Sequence, residues 1–212
     1  MNIVFDYDGT LHDSLKIYAP AFRKCIKMIS DDGFIEKKDY SDDEIKKWIG
    51  MDVKTMWNTF MHDISQEYKN KYSAFIGNEM IRLINEGKAV LYGGAEEVLE
   101  KIKAGGYRII FLSSCKRNYM EANINFFKLD RFFDSFYCTE DFGFSPKYEI
   151  FSEIKNYYDG DFIIIGDRKS DMEIAEKNNL LSIGCTYGYG ESDELKTANY
   201  LVNSVEEIIK YI

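Results

Sequence analysis

Ile3-Val4-Phe5-Asp6-Tyr7-Asp8-Gly9-Thr10 decides the fold, because an apolar run ends abruptly in two acids, a glycine and a threonine. Apolar residues without alternation read as a strand buried on both faces, which is the mark of a parallel sheet. Successive side chains of a strand alternate, so Asp6 and Asp8 project to the same side. Two unit charges about 4 Å apart repel by roughly 1 kcal/mol in water and roughly 4 kcal/mol near a protein surface. A packed strand that ends in this way calls for a cation between its carboxylates. Mg²⁺ suits the position, since it takes hard oxygen ligands from one or two carboxylates and fills its shell with water and phosphate oxygens. The first ten residues therefore predict a metal site that handles phosphate.

Further strand-like runs occupy 107–112, 135–138, 162–165 and 181–185, with helical patterns between them. Val98, Leu99 and Ile102 recur at helical spacing and stop at Gly105-Gly106, a helix-ending signal. Ser145-Pro146 predicts a helix start, with serine as the cap and proline in the first turn; Ile150, Phe151 and Ile154 follow on one face. Strands alternating with helices of this length imply right-handed crossovers and a parallel sheet.

The stretch 14–86 breaks that rhythm. Tyr18, Phe22, Cys25, Ile26 and Ile29 mark one amphipathic helix that ends at Asp31-Asp32-Gly33. Ile64, Tyr68, Tyr72, Phe75, Ile76, Met80, Leu83 and Ile84 mark a long one, and 44–60 reads as two short helices joined at Gly50. No strand pattern appears there. The expected fold class is α/β: a Rossmann-like parallel-sheet core from residues 1–13 and 87–212, with an inserted all-helical cap domain over 14–86.

Composition agrees with an ordinary globular chain of 212 residues, 45% hydrophobic and rich in aromatics. Its 27 Lys and Arg against 36 Asp and Glu give a net charge of −9, which argues against a nucleic-acid surface. An anionic substrate must then be drawn in by a local cation. Cys25, Cys115, Cys138 and Cys185 are widely spaced, form no C-x-x-C pair, and are expected as buried free thiols. No apolar run reaches transmembrane length and the charged start does not fit a signal peptide, so a soluble cytoplasmic protein is expected.

Ligands of open parallel sheets bind at the carboxyl ends of the strands. Several strand ends carry complementary chemistry here. Residues 107–112 run into Ser113-Ser114, Lys147 begins a helix, and 162–165 run into Gly166-Asp167-Arg168-Lys169-Ser170-Asp171. Any one of these alone has a plain explanation as a turn, a cap or a surface charge. Four in order, each at a strand end or its adjoining loop, do not.

This set resembles the haloacid dehalogenase superfamily of hydrolases, whose pattern is Asp-x-Asp-x-Thr, a strand ending in Ser or Thr, a Lys, then Gly-Asp-x-x-x-Asp. Within it the chain is similar to the phosphoglycolate phosphatase-like group with a helical cap, also through Gly184-Cys185-Thr186-Tyr187-Gly188-Tyr189-Gly190 and Ala198-Asn199-Tyr200-Leu201-Val202. Ser114 stands where that family often has Asn, and Tyr7 where it often has Leu.

The resemblance implies a Mg²⁺-dependent phosphatase for a small phosphomonoester, phosphoglycolate-like or a sugar phosphate. Asp6 would be the nucleophile that forms an aspartyl-phosphate. Asp8 would protonate the leaving alcohol and then activate water. Gly9, Ser113, Ser114 and Lys147 would hold the phosphoryl group. Asp6, Asp167 and the backbone carbonyl of Asp8 would hold the metal, with Asp171 supporting its waters or Lys147. The turn Ile49-Gly50-Met51-Asp52 is the candidate to meet the leaving group.

Weaker signals have plain readings. His12 fits a satisfied loop histidine, Arg168 and Lys169 fit solvated charges, Trp48 and Trp57 fit helix packing, and Tyr187 and Tyr189 fit loop formers. Two rival functions stand beside the phosphatase: a sugar-phosphate mutase resembling β-phosphoglucomutase, which shares the motifs and the cap, and a regulatory phosphoacceptor domain, which also gathers acidic residues, a hydroxyl and a lysine at strand ends. The helical insertion and the second acidic pair weigh against the phosphoacceptor.

Overall fold

The computed structural model describes residues 1–51 and 53–212. Six strands form its sheet: β1 (Asn2–Phe5), β2 (Arg108–Ser113), β3 (Ser135–Cys138), β4 (Phe162–Gly166), β5 (Leu181–Cys185) and β6 (Tyr200–Val202). Their order is β3-β2-β1-β4-β5-β6, and every pairing is parallel. β1 therefore lies in the middle, between β2 and β4. Its unbroken apolar run is explained by burial on both faces. Ile3 and Phe5 pack with Val98, Leu99 and Ile102, whereas Val4 packs with Ile150, Phe151, Ile154 and Ile174. Each such side chain contributes roughly 1.5–3 kcal/mol when fully buried.

Four helices lie between β1 and the next core element: α1 (Leu15–Asp31), α2 (Asp42–Lys46), α3 (Val53–Phe60) and α4 (Gln66–Asn85). They enclose an apolar cluster of their own, with Phe22, Ile29, Ile45, Trp57 and Tyr72 at its centre. Ser41 and Glu44 close a reciprocal cap at the start of α2. The chain enters and leaves this segment side by side: Asp13 N donates to Val90 O at 2.9 Å and Tyr92 N to Leu11 O at 2.9 Å.

The remaining helices are α5 (Ala95–Ala104), α6 (Arg117–Phe127), α7 (Lys147–Ile154) and α8 (Lys169–Asn178). α7 corrects one expectation. Ser145 is not its cap; Pro146 takes that place, its carbonyl accepting from Glu149 N and Ile150 N, so Lys147 becomes the first helical residue. Proline suits the position because its fixed φ leads into the helix and its missing N–H costs nothing there. α6 and β6 carry no pattern that the sequence reading separated from its surroundings. All four cysteines are free and buried. Among the described residues, no helix is long and apolar enough to cross a membrane.

Candidate active site

The register of the sheet brings the motifs to one edge. Phe5 pairs with Phe111 on one side and Ile165 on the other, so Asp6, Ser113 and Asp167 all lie just past the same line. Asp6 N donates to Ile165 O at 2.8 Å, which ties the first acid to the strand before the second. Asp6, Asp167 and Asp171 are all buried, and one carboxylate oxygen from each lies within 4.8 Å of the others. Lys147 Nζ sits 2.7 Å from Asp6 Oδ1 and 2.7 Å from Asp171 Oδ1.

Three buried carboxylates thus face one ammonium, leaving two negative charges in excess. The electrostatics follow. Burial first, and then Asp171, push the Asp6 carboxyl well above the usual range, with Lys147 opposing them. Asp167 is pushed up to about 7 by burial and then by Asp171, while the amide of Tyr189 pulls it down. Burial works against the charge of Lys147, yet Asp171 and Asp6 hold its ammonium above its ordinary value. Oxygen-only donors, close spacing and unbalanced negative charge are what a hard divalent cation requires. The residues fit Mg²⁺.

The loop after β1 is shaped around this cluster. Gly9 has φ +88°, and a Cβ there would stand 2.3 Å from Asp167 Oδ2. Only glycine allows that backbone and that approach. Thr10 Oγ1 donates to Asp167 Oδ1 at 3.3 Å, and Tyr189 N donates to Asp167 Oδ2 at 2.7 Å. The Tyr189 hydroxyl donates to Asp13 Oδ1 and accepts from Leu15 N, both at 2.9 Å, so the segment after β5 also grips the start of α1.

The side chain of Asp8 turns away from the acidic cluster. Its Oδ1 accepts from the Tyr119 hydroxyl at 2.7 Å and lies 3.0 Å from His12 Nδ1. His12 is fully buried and stacks on Tyr7 with ring centroids 5.0 Å apart. The Tyr7 hydroxyl donates to Asn123 Oδ1, and Asn123 Nδ2 donates to Tyr119 O, so α6 is locked onto the loop. Ser113 is buried at the tip of β2, and Ser114 beside it lines a cleft.

That cleft has a volume of about 550 Å³. Asp8, Ser114, Lys147 and Arg168 line it from the sheet edge, and Trp48, Ile49, Gly50, Met51 and Ile76 from the helical segment. Three residues of the turn expected to meet a leaving group thus border the cleft; Asp52 lies outside the described residues.

A family model described as haloacid dehalogenase-like hydrolase matches residues 3–185. The chain belongs to this family. It is a hydrolase of the phosphatase kind. A phosphoglycolate phosphatase of Colwellia psychrerythraea is 24% identical, covering 91% of this chain and 87% of its own. A 5'-nucleotidase of Pseudomonas aeruginosa is 25% identical, covering 92% and 86%. The crystal structure of a predicted phosphatase from Clostridium acetobutylicum superposes with a TM-score of 0.80 at 29% identity, covering 99% and 96%.

Two residues at the hydrolase's site escaped the sequence reading, and a third was misread. Tyr119 and Asn123 lie on a helix with no motif, and only spatial proximity reveals them. Arg168 corrects an expectation: it is not a solvated charge. It is buried, with Nε donating to Glu194 Oε2 at 3.1 Å and an Nη donating to Ile49 O at 3.0 Å. Gly50, at φ +79°, leaves room for it, since a Cβ would stand 3.2 Å from Arg168 Cγ. The neighbouring Lys169 is exposed, as expected.

Proposed function

We propose that this hydrolase is a Mg²⁺-dependent phosphatase acting on a small soluble phosphomonoester through an aspartyl-phosphate on Asp6. The observation that carries the reading is Lys147 shared between Asp6 and Asp171, with Asp167 completing the acidic cluster. Asp6 and Asp167 side chains and the Asp8 backbone carbonyl are the proposed holders of the ion. When bound, Mg²⁺ supplies the charge that keeps Asp6 and Asp167 ionised and draws a phosphoryl oxygen to this edge.

The chain's own residues do the rest. Asp6 attacks phosphorus from the tip of β1, and the alkoxide leaves with a proton from Asp8. Asp8 then takes a proton from the water that cleaves the acyl phosphate. Ser113 and Ser114 donate to phosphoryl oxygens, with Gly9 giving them space. Lys147 neutralises the growing charge, and Asp171 keeps its ammonium in place. Positioning and charge stabilisation supply most of what phosphoryl transfer needs.

Residues 14–86 act as a cap domain over a core of 1–13 and 87–212, closing the cleft against bulk water. The buried thiols suit a reducing cytoplasm. The names of the relatives span glycolate and nucleotide phosphatases and support the phosphomonoester class. The test is phosphate release from p-nitrophenyl phosphate with Mg²⁺, lost in EDTA and in Asp6→Asn. Turnover near wild type in Asp6→Asn would reject the nucleophile. Interconversion of sugar-phosphate isomers without phosphate release would make the enzyme a mutase instead.

A further inference from the structure

We infer that the preferred substrate carries a bulky, uncharged, ring-bearing leaving group of nucleoside size, and not a small acid such as glycolate; this rests on the phosphatase reading above. Volume is the first argument. A cleft of about 550 Å³ falls within the roughly 300–1,000 Å³ that hold ligands of drug size. A two-carbon acid would leave most of it to water.

The wall is the second argument. From the helical segment most of the bordering side chains are apolar, Tyr18, Trp48, Met51, Met56 and Ile76 among them, with uncharged polar groups such as Ser73 and Asn78 between. Ring faces and polarisable thioethers pack well against a flat ring. Trp48 and Met56 belong to the buried core of that segment, so this wall is anchored.

Charge is the third argument, and it decides between the two substrate classes. Among the described residues, no charged side chain of 14–86 borders the cleft. Its cations come from the sheet side. Lys147 is held between Asp6 and Asp171, and Arg168 pairs with Glu194 and the Ile49 carbonyl. Lys116 follows the Ser113-Ser114 tip at the start of α6, on the edge that carries the reacting groups. Asp8, Glu173 and Glu194 add negative charge. A leaving-group carboxylate reaching toward the cap would be partly desolvated beside mainly apolar walls that offer uncharged polar groups but no counter-charge, which is costly. An uncharged leaving group avoids that cost.

Adenosine 5′-monophosphate and 2-phosphoglycolate both release an alkoxide, so comparing them isolates recognition from chemistry. With Mg²⁺ and the full chain, kcat/KM for the nucleotide is expected to exceed that for phosphoglycolate by at least about 30-fold, mainly through KM. Asn78, exposed on α4 at the cleft, provides the second arm. Asn78→Arg is expected to raise kcat/KM for phosphoglycolate about tenfold without raising it for the nucleotide. Wild-type preference for phosphoglycolate, or a ratio unmoved by Asn78→Arg, overturns the inference while p-nitrophenyl phosphate is still hydrolysed. Failure to hydrolyse p-nitrophenyl phosphate as well overturns the phosphatase reading and the inference with it.

Discussion

Tyr119 and Asp8, 111 positions apart in sequence, meet through a 2.7 Å hydrogen bond that fixes the direction of the Asp8 carboxylate. Asn123 and Tyr7 brace the same contact from behind. If Asp8 passes a proton to the leaving group, its aim matters most for poor leaving groups. Tyr119→Phe is therefore expected to cut kcat on an alkyl phosphomonoester by about 10–100-fold, but on p-nitrophenyl phosphate by less than about threefold. Steady-state kinetics on both substrates check this, and equal losses would show a merely structural role.

Lys147 is the sole cation in contact with Asp6 and Asp171 among the described residues. Lys147→Met leaves the buried Asp6, Asp167 and Asp171 cluster without its ammonium and is expected to lower stability by about 3–5 kcal/mol. The urea midpoint measures it. Lys147→Arg is expected not to restore turnover, because a planar fork replaces a point charge in a space shaped for an ammonium.

The acidic cluster is expected to give the metal-free protein an unusual pH profile. Asp167 rises from an ordinary value of 3.8 to about 7 on folding, and Asp6 also rises. Between those values the folded state holds a proton that the unfolded chain has released, so stability falls as pH increases. In EDTA, stability from urea titrations is expected to decline from about pH 4 to about pH 7. Asp167→Asn should flatten that slope, and a profile that rises through this window would refute it.

Gly9→Ala puts a methyl group where Asp167 Oδ2 now lies, at a backbone angle that alanine resists. On the proposed Mg²⁺ reading, wild-type protein at 100 times its Kd for the ion is expected to gain about 2.7 kcal/mol. The variant is expected to lose most of that gain, seen as a Tm that no longer responds to MgCl₂.

The sheet was legible because buried parallel strands have a simple signature. Ile3 to Phe5 and Ile163 to Ile165 are apolar without interruption, and both turn out to be enclosed on two faces. Tyr200–Val202 escaped because an edge strand of three residues, with Tyr200 and Leu201 exposed, lacks that pattern. The acidic and lysine residues of the site stand at strand ends and a helix start, so their order along the chain, together with the family resemblance, points to them. The contacts of Tyr119 with Asp8 and of Arg168 with Ile49 were not legible: the partners lie 111 and 119 positions away, and local sequence carries no record of such contacts. His12 sits two positions beyond the first motif, yet only the fold reveals that its Nδ1 faces Asp8.

The two hydrogen-bonded crossings at Asp13–Val90 and Leu11–Tyr92 place the doorway into the helical segment and the doorway out of it next to each other. Whatever is hung between them, long or short, meets the same pair of posts. On the proposed reading of 14–86 as a cap, selectivity can be rewritten through that segment while the sheet edge stays as built, much as a tool keeps its handle when the bit is exchanged.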